Sequence, residues 1–215
     1  MQYSALVVAA GSGSRMGLGY NKMLYPLADG KTVLEETVSL FQKDVRCVQI
    51  IVVCAVADRD EFAHLCGDKN IVYVIGGETR QESVYHGLRE VSQDLVLIHD
   101  GARPWLPVVC IDRLLETLRD HQACLLCTSV KDTIKEVENG YVKQTYVRDK
   151  LYAAQTPQAF HTTLIRYCYD QAMKDGVSAT DDAQLVEIYS DISVRVVEGS
   201  YANMKVTTQE DVVGK

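Results

Sequence analysis

Tyr3-Ser4-Ala5-Leu6-Val7-Val8-Ala9-Ala10-Gly11-Ser12-Gly13-Ser14-Arg15-Met16-Gly17 runs from an apolar stretch straight into a glycine-rich loop. Tyr3 to Ala9 reads as a buried strand, and the rest of the chain repeats the theme. Val48–Cys54, Ile71–Ile75, Leu95–Ile98 and Ala123–Thr128 are further apolar strands. Between them lie helical patterns. Thr32–Gln42 carries Leu34, Val38 and Phe41 on one face, and Arg80–Val91 carries Val84, Leu88 and Val91. Asp58–Cys66, with Asp58 as a plausible cap, and Val108–Asp120 complete the set. Continuous apolar strands alternating with helices predict an α/β, doubly wound, mostly parallel sheet of Rossmann-like layout. Such sheets bind ligands beyond the carboxyl ends of their strands. The loops to search are therefore Ala10–Tyr25, Gly76–Ser83 and His99–Pro107.

One stretch breaks the pattern. Thr133–Val147 alternates as two strands around Glu138-Asn139-Gly140, and Asn-Gly favours a type I′ hairpin turn. A lone hairpin is marginal in water, so this protruding arm, about residues 131–150, should pack against something such as a second subunit. A helix at Thr162–Lys174, another starting near Asp181 and a strand at Val194–Val197 follow. There is no repeat or linker, which predicts one domain over residues 1–215 with an inserted arm.

Composition narrows the function. With 215 residues and 47% hydrophobic content the chain can bury a sizeable core. A net charge of −7 argues against general nucleic-acid binding, because phosphate neutralisation supplies most of that affinity. No apolar run is long enough to cross a membrane, and Met1-Gln2-Tyr3-Ser4 lacks a positive leader, so a cytoplasmic location is expected. Seven cysteines without metal spacing predict reduced, mostly buried thiols. The one CxxC pair, Cys124 and Cys127, falls in a strand, where positions three apart face opposite sides.

The first loop is neither a dinucleotide fingerprint nor a P-loop, because the glycines and the Lys-Ser/Thr pair are misplaced. It is either a flexible glycine turn or a cradle in which backbone N–H groups, Arg15 and Lys22 receive a triphosphate. The second loop is either a capped helix start or a contact to a base or phosphate. In the third, Asp100 at a strand's end is placed to meet Mg2+. Arg103 would serve a phosphate or orient Asp100, and His99 is expected to be structural. Lys131, Arg148 and Lys205 are further basic candidates.

Taken together, these loops resemble the 2-C-methyl-D-erythritol 4-phosphate cytidylyltransferase family of nucleotidyltransferases over nearly the whole chain. The matching motifs are Ala9–Met16, Asn21-Lys22, Gly76–Val84, His99–Pro104, Lys131–Lys135, Gln155–Phe160, Thr180–Ala183 and Glu198–Thr207. The resemblance implies that Ala9, Ala10, Gly11 and Gly13 wrap the CTP phosphates. Arg15 and Lys22 would stabilise the reacting α-phosphate. Gly77, Glu78 and Ser83 would select cytosine, Gly101 would lie by the nucleotide, and Asp100 would sit near Mg2+. Arg103, Thr133, Thr156, Thr180 and Lys205 would line the polyol phosphate site. Arg148 would reach the substrate of a neighbouring subunit in an arm-joined homodimer. The chain departs from the family at Asn21 and Met23, which flank the retained Lys22, at Glu78 for a common aspartate and at Tyr152 for a frequent tryptophan. The family's terminal helix is expected to be short here.

A phosphate monoester has a second pKa of about 6, so at neutral pH it is already a nucleophile and needs no general base. The implied chemistry is in-line attack on the α-phosphorus, governed by positioning and cationic stabilisation. D-Ribitol-5-phosphate cytidylyltransferase is the nearest alternative, favoured by Val147-Arg148-Asp149. A nucleotide sensor on the same fold is a second, and the retained Arg15, Lys22, Asp100 and Lys205 argue against it.

Overall fold

Residues 1–11, 19–67 and 69–212 are described by the computed structural model. In chain order the strands are β1 (Tyr3–Val8), β2 (Cys47–Cys54), β3 (Ile71–Ile75), β4 (Leu95–Asp100), β5 (Ala123–Ser129), β6 (Lys135–Glu138), β7 (Tyr141–Thr145), β8 (Tyr152–His161) and β9 (Arg195–Glu198). The helices are α1 (Val33–Lys43), α2 (Arg59–Cys66), α3 (Arg80–Leu88), α4 (Val108–Thr117), α5 (Thr162–Asp175) and α6 (Asp182–Tyr189). Seven strands form one sheet in the order β3-β2-β1-β4-β8-β5-β9. β8 runs antiparallel to both of its neighbours, and the other pairings are parallel.

The alternation of each strand divides the core between two faces. Ala5, Val7, Ile50, Val52, Leu97 and Leu126 pack with Val38 and Phe41 of α1 and Leu114 of α4. Leu6, Ile51, Val53, Val96, Ile98 and Phe160 pack with α3, α5 and α6 on the other side. The sheet is doubly wound as expected. Cys124 belongs to the first face and Cys127 to the second, as strand periodicity requires. All seven cysteines are free and six are buried; burial pushes the Cys124 thiol up to about 12. Gly87 lets α3 ride close to the sheet. A Cβ there would lie 2.8 Å from Val53 Cγ2 and 2.9 Å from Leu6 Cδ1.

Helix ends follow local chemistry. Thr32 with Glu35, and Thr79 with Glu82, form reciprocal capping boxes at α1 and α3. Asp181 caps α6 by accepting from Gln184 N. Asp58 departs from expectation: it has helical backbone angles and caps nothing, and its carboxylate accepts from Asn21 Nδ2 at 2.6 Å instead. The pattern over Arg80–Val91 continues past α3 as Glu90 N→Gly87 O and Val91 N→Leu88 O bonds, a tightened last turn.

β8 is the element the sequence concealed. Pro157 argues against a central strand, since it gives no ladder hydrogen bond. The structure accommodates it where pairing lapses: the β4 ladder ends at Ile98↔Gln158, and β5 shifts register between Leu125 and Cys127. Side chains take over there, and Thr156 Oγ1 accepts from Asp100 N at 2.9 Å.

β6 and β7 form a separate two-stranded sheet. Asn139 (φ 52°) and Gly140 (φ 83°) both take the left-handed region that a type I′ turn demands. Val137, Tyr141, Val142 and Val147 on this arm are all more than half exposed, Tyr141 at 80%.

Candidate active site

The strand order reverses between β1 and β4, so the loops leaving these neighbours part and leave a crevice. A cavity of about 340 Å3 occupies it. Ala10 and Gly11 after β1, Gly77–Arg80 after β3, Asp100 at the end of β4, and Lys22 and Lys205 from flanking segments line it.

Asp100 is the electrostatic centre. Its Oδ2 lies 2.8 Å from Lys205 Nζ and 3.5 Å from Arg103 Nε, and its Oδ1 lies 3.3 Å from Arg80 Nε. Burial alone would raise its carboxyl. Arg80, Lys205 and Arg103 outweigh that and hold it well below the usual carboxylate range. Arg103 is anchored by donating from Nη1 to Asn203 O at 2.7 Å. Arg80 turns its other edge to Asp182, with Nη1–Oδ1 at 3.0 Å and Nη2–Oδ2 at 2.8 Å. Lys22 is 8% exposed, and its Nζ donates to Val206 O at 2.8 Å, tying the first loop to the late segment.

The loop after β3 is stiffened from below. Ser83 Oγ donates to Thr79 O and accepts from Gly77 N, while Glu82 Oε2 accepts from Glu78 N at 2.7 Å. Glu78 itself points to solvent. His99 is fully buried, and desolvation pulls its imidazole down to about 4. Its Nε2 faces Arg103 O, an acceptor only, so that nitrogen carries the proton. Nδ1 then accepts from Thr156 Oγ1, whose lone pairs serve Asp100 N. His99 is thus a neutral strut, in line with its structural reading.

The structure gathers Ala10, Gly11, Lys22, Gly77, Glu78, Ser83, Asp100 and Lys205 around the cavity. Ala9 and Gly101 lie just beneath, donating to Val53 O and Val8 O. Arg103 stands behind Asp100, and Thr156 is turned inward. Thr180 is exposed and bonded to Gln184 Oε1. Thr133 and Arg148 stand at the exposed root of the arm, where Arg148 and Lys131 line a separate hollow. Gly13 and Arg15 lie outside the described residues. Arg80 and Asp182 lie within the matched motifs but carry no role legible in the sequence, because partners 102 positions apart leave no local signal.

Asp100 fits a metal of one kind. No group of three or more His, Cys, Asp or Glu side chains able to hold an ion occurs among the described residues. Mg2+, however, commonly uses one or two carboxylates, its own waters and substrate phosphates. A single carboxylate on the wall suits an ion carried in by a triphosphate.

A cationic, backbone-lined crevice at the switch point of a doubly wound sheet is the architecture of a nucleotidyltransferase. The family profile of 2-C-methyl-D-erythritol 4-phosphate cytidylyltransferase matches residues 3–214. A relative of that name from Halalkalibacterium halodurans is 43% identical over 99% of this chain and 95% of its own length. The crystal structure of 4-diphosphocytidyl-2C-methyl-D-erythritol synthase from Anaerococcus prevotii superposes with a TM-score of 0.87 at 37% identity, covering 99% of this chain and 93% of that one. The Francisella tularensis 2-C-methyl-D-erythritol 4-phosphate cytidylyltransferase gives 0.86 at 30% identity, covering 99% and 97%. The chain belongs to the 2-C-methyl-D-erythritol 4-phosphate cytidylyltransferase family.

Proposed function

We propose that this enzyme transfers CMP from CTP to 2-C-methyl-D-erythritol 4-phosphate, forming 4-diphosphocytidyl-2-C-methyl-D-erythritol and releasing pyrophosphate. The observation that carries the reading is the convergence of Lys22, Arg80, Arg103 and Lys205 on one crevice that also presents the backbone of Ala10 and Gly11. Joining two anions needs cations that are already in place.

Ala9, Ala10 and Gly11 then hold the triphosphate, with Gly13 and Arg15 assigned to it by family resemblance. Gly77, Glu78 and Ser83 meet the cytosine, Glu78 through its backbone, and Gly101 underlies the nucleotide. Lys22 and Arg15 stabilise the charge that builds on the α-phosphate. Lys205, Arg103, Thr156 and Thr180 serve the polyol phosphate side. Asp100 would be the carboxylate that faces a Mg2+ ion bound with CTP, and such an ion would supply charge neutralisation for the pyrophosphate leaving group. The substrate phosphate attacks as its own dianion, and the neutral, buried His99 takes no proton from it. Thr133 and Arg148 act in a homodimer across the arm, a reading supported by the arm's exposed apolar residues and by neither residue being among those that line the crevice of their own chain. The substrates are water-soluble, no described helix is long and apolar enough to span a membrane, and we place the enzyme in the cytoplasm as one catalytic domain.

The test is pyrophosphate release from CTP and Mg2+ with 2-C-methyl-D-erythritol 4-phosphate against D-ribitol 5-phosphate. Release with the first alone is expected. Release with ribitol phosphate alone overturns the substrate assignment and leaves the chemistry standing. CTP binding without release from either overturns the enzyme reading.

A further inference from the structure

Arg80 is held from two sides. Its Nε faces Asp100 in the crevice, and its two terminal nitrogens grip both oxygens of Asp182, which is wholly buried at the start of α6. Asp182 has one more partner, the Tyr169 hydroxyl donating from α5. Its neighbours are fixed as well: Gln158 of β8 donates to Asp181 Oδ2 and accepts from Ala183 N. A wholly buried carboxylate whose one cationic partner is an arginine facing the crevice is costly unless it fixes that arginine.

We propose that Asp182 is a positioning residue for cytidylyl transfer, acting through Arg80 on the Asp100 carboxylate. The planar guanidinium can satisfy both carboxylates only in one plane. The bidentate grip of Asp182 thus sets which edge of Arg80 faces the crevice and leaves Asp100 a single nitrogen from it. Without that grip Arg80 swings its terminal fork onto Asp100, the nearest remaining carboxylate. Arg80 then grips both oxygens of Asp100 in addition to the contacts from Lys205 and Arg103, and turns them from the triphosphate. The anchor lies on α6, so the helix that follows Thr180 and the carboxyl end of β4 are held in one frame.

The inference rests on the cytidylyltransferase reading, and the wild-type assay separates the two. If wild-type enzyme releases no pyrophosphate with either polyol phosphate, the functional reading fails before this one is tested. With active wild type, D182N keeps the shape and removes the charge. Its kcat should fall about 10- to 100-fold, the usual cost of an outer-shell partner, while KM for CTP stays within about twofold. R80Q should lose at least as much, and D182N should add nothing further in the R80Q background. R80K, which keeps the charge and cannot span both carboxylates, should fail to restore kcat. It also serves as the decisive variant if D182N does not fold. Wild-type kcat in D182N or R80K, a loss confined to KM, or additive losses in the double variant would overturn the proposal.

Discussion

The crevice and the arm spend their polar and apolar groups in opposite ways. In the crevice nearly every buried polar atom has its partner inside the same chain: Asp100 has three cations, Thr156 serves His99 and Asp100 N, and Ser83 serves Thr79 and Gly77. Among the described residues, the buried side-chain atom without a partner is Asn203 Oδ1. The arm satisfies its backbone as a hairpin and leaves Val137, Tyr141, Val142 and Val147 in solvent. One region satisfies its buried polar groups within a single copy of the chain, and the other leaves large apolar side chains exposed. Damage to the crevice should appear in turnover and in the folding of one chain. Damage to the arm should appear in assembly.

The largest effect belongs to Lys22. Lys22→Ala should cost about 3–4 kcal/mol of transition-state stabilisation, by analogy with a lost oxyanion donor. Steady-state kinetics should show this in kcat, and a change confined to KM for CTP would break the assignment of Lys22 to the reacting phosphate. The acid response of the crevice comes next. An unfolded histidine binds its proton near pH 6.5, whereas buried His99 stays neutral until about 4. The unfolded state therefore holds the extra proton between these values, and stability falls as pH drops through that window. The loss is on the order of 3 kcal/mol. Below about pH 4 the paired Asp100 adds to it, because its folded carboxyl lies below the unfolded value. Urea unfolding of nucleotide-free protein should give this slope, and His99→Gln should flatten the part above pH 4. Gly140→Ala, at φ 83° in the hairpin turn, should cost about 1 kcal/mol and loosen the arm, visible as faster amide exchange over β6 and β7. Val142→Lys should change single-chain stability by less than about 0.5 kcal/mol. Light scattering should nevertheless show a shift from dimer to monomer. A monomeric wild type would remove the arm's proposed role, and with it the assignment of Thr133 and Arg148 to a partner's substrate site.

The same contrast explains what could be read in the sequence. Strand runs, helix faces and the Asn139-Gly140 turn are local codes, and the structure carries them within a few residues. Loop glycines and cations were legible as types of residue. Their partnerships were not: Lys22 reaches Val206, and Arg80 reaches Asp182, through folded space alone. Asp58 had the composition of a cap, but Asn21 competed for it. β8 carries a proline that local rules count against a central strand, and only the lapse in pairing on both sides makes room for it. Thr156 was assigned to the substrate site by motif, and the structure adds a second duty for its hydroxyl between His99 and Asp100.

Gly87 is a shim made of nothing. A methyl group there would press on Val53 and Leu6, both buried in the sheet, and α3 would have to lift at that end. A helix turn is stiff, so lifting one end tilts the other, and Arg80 sits about 10 Å along the same rod. The 3.3 Å gap between Arg80 and Asp100 is thereby gauged by a missing side chain at the far end of the same helix.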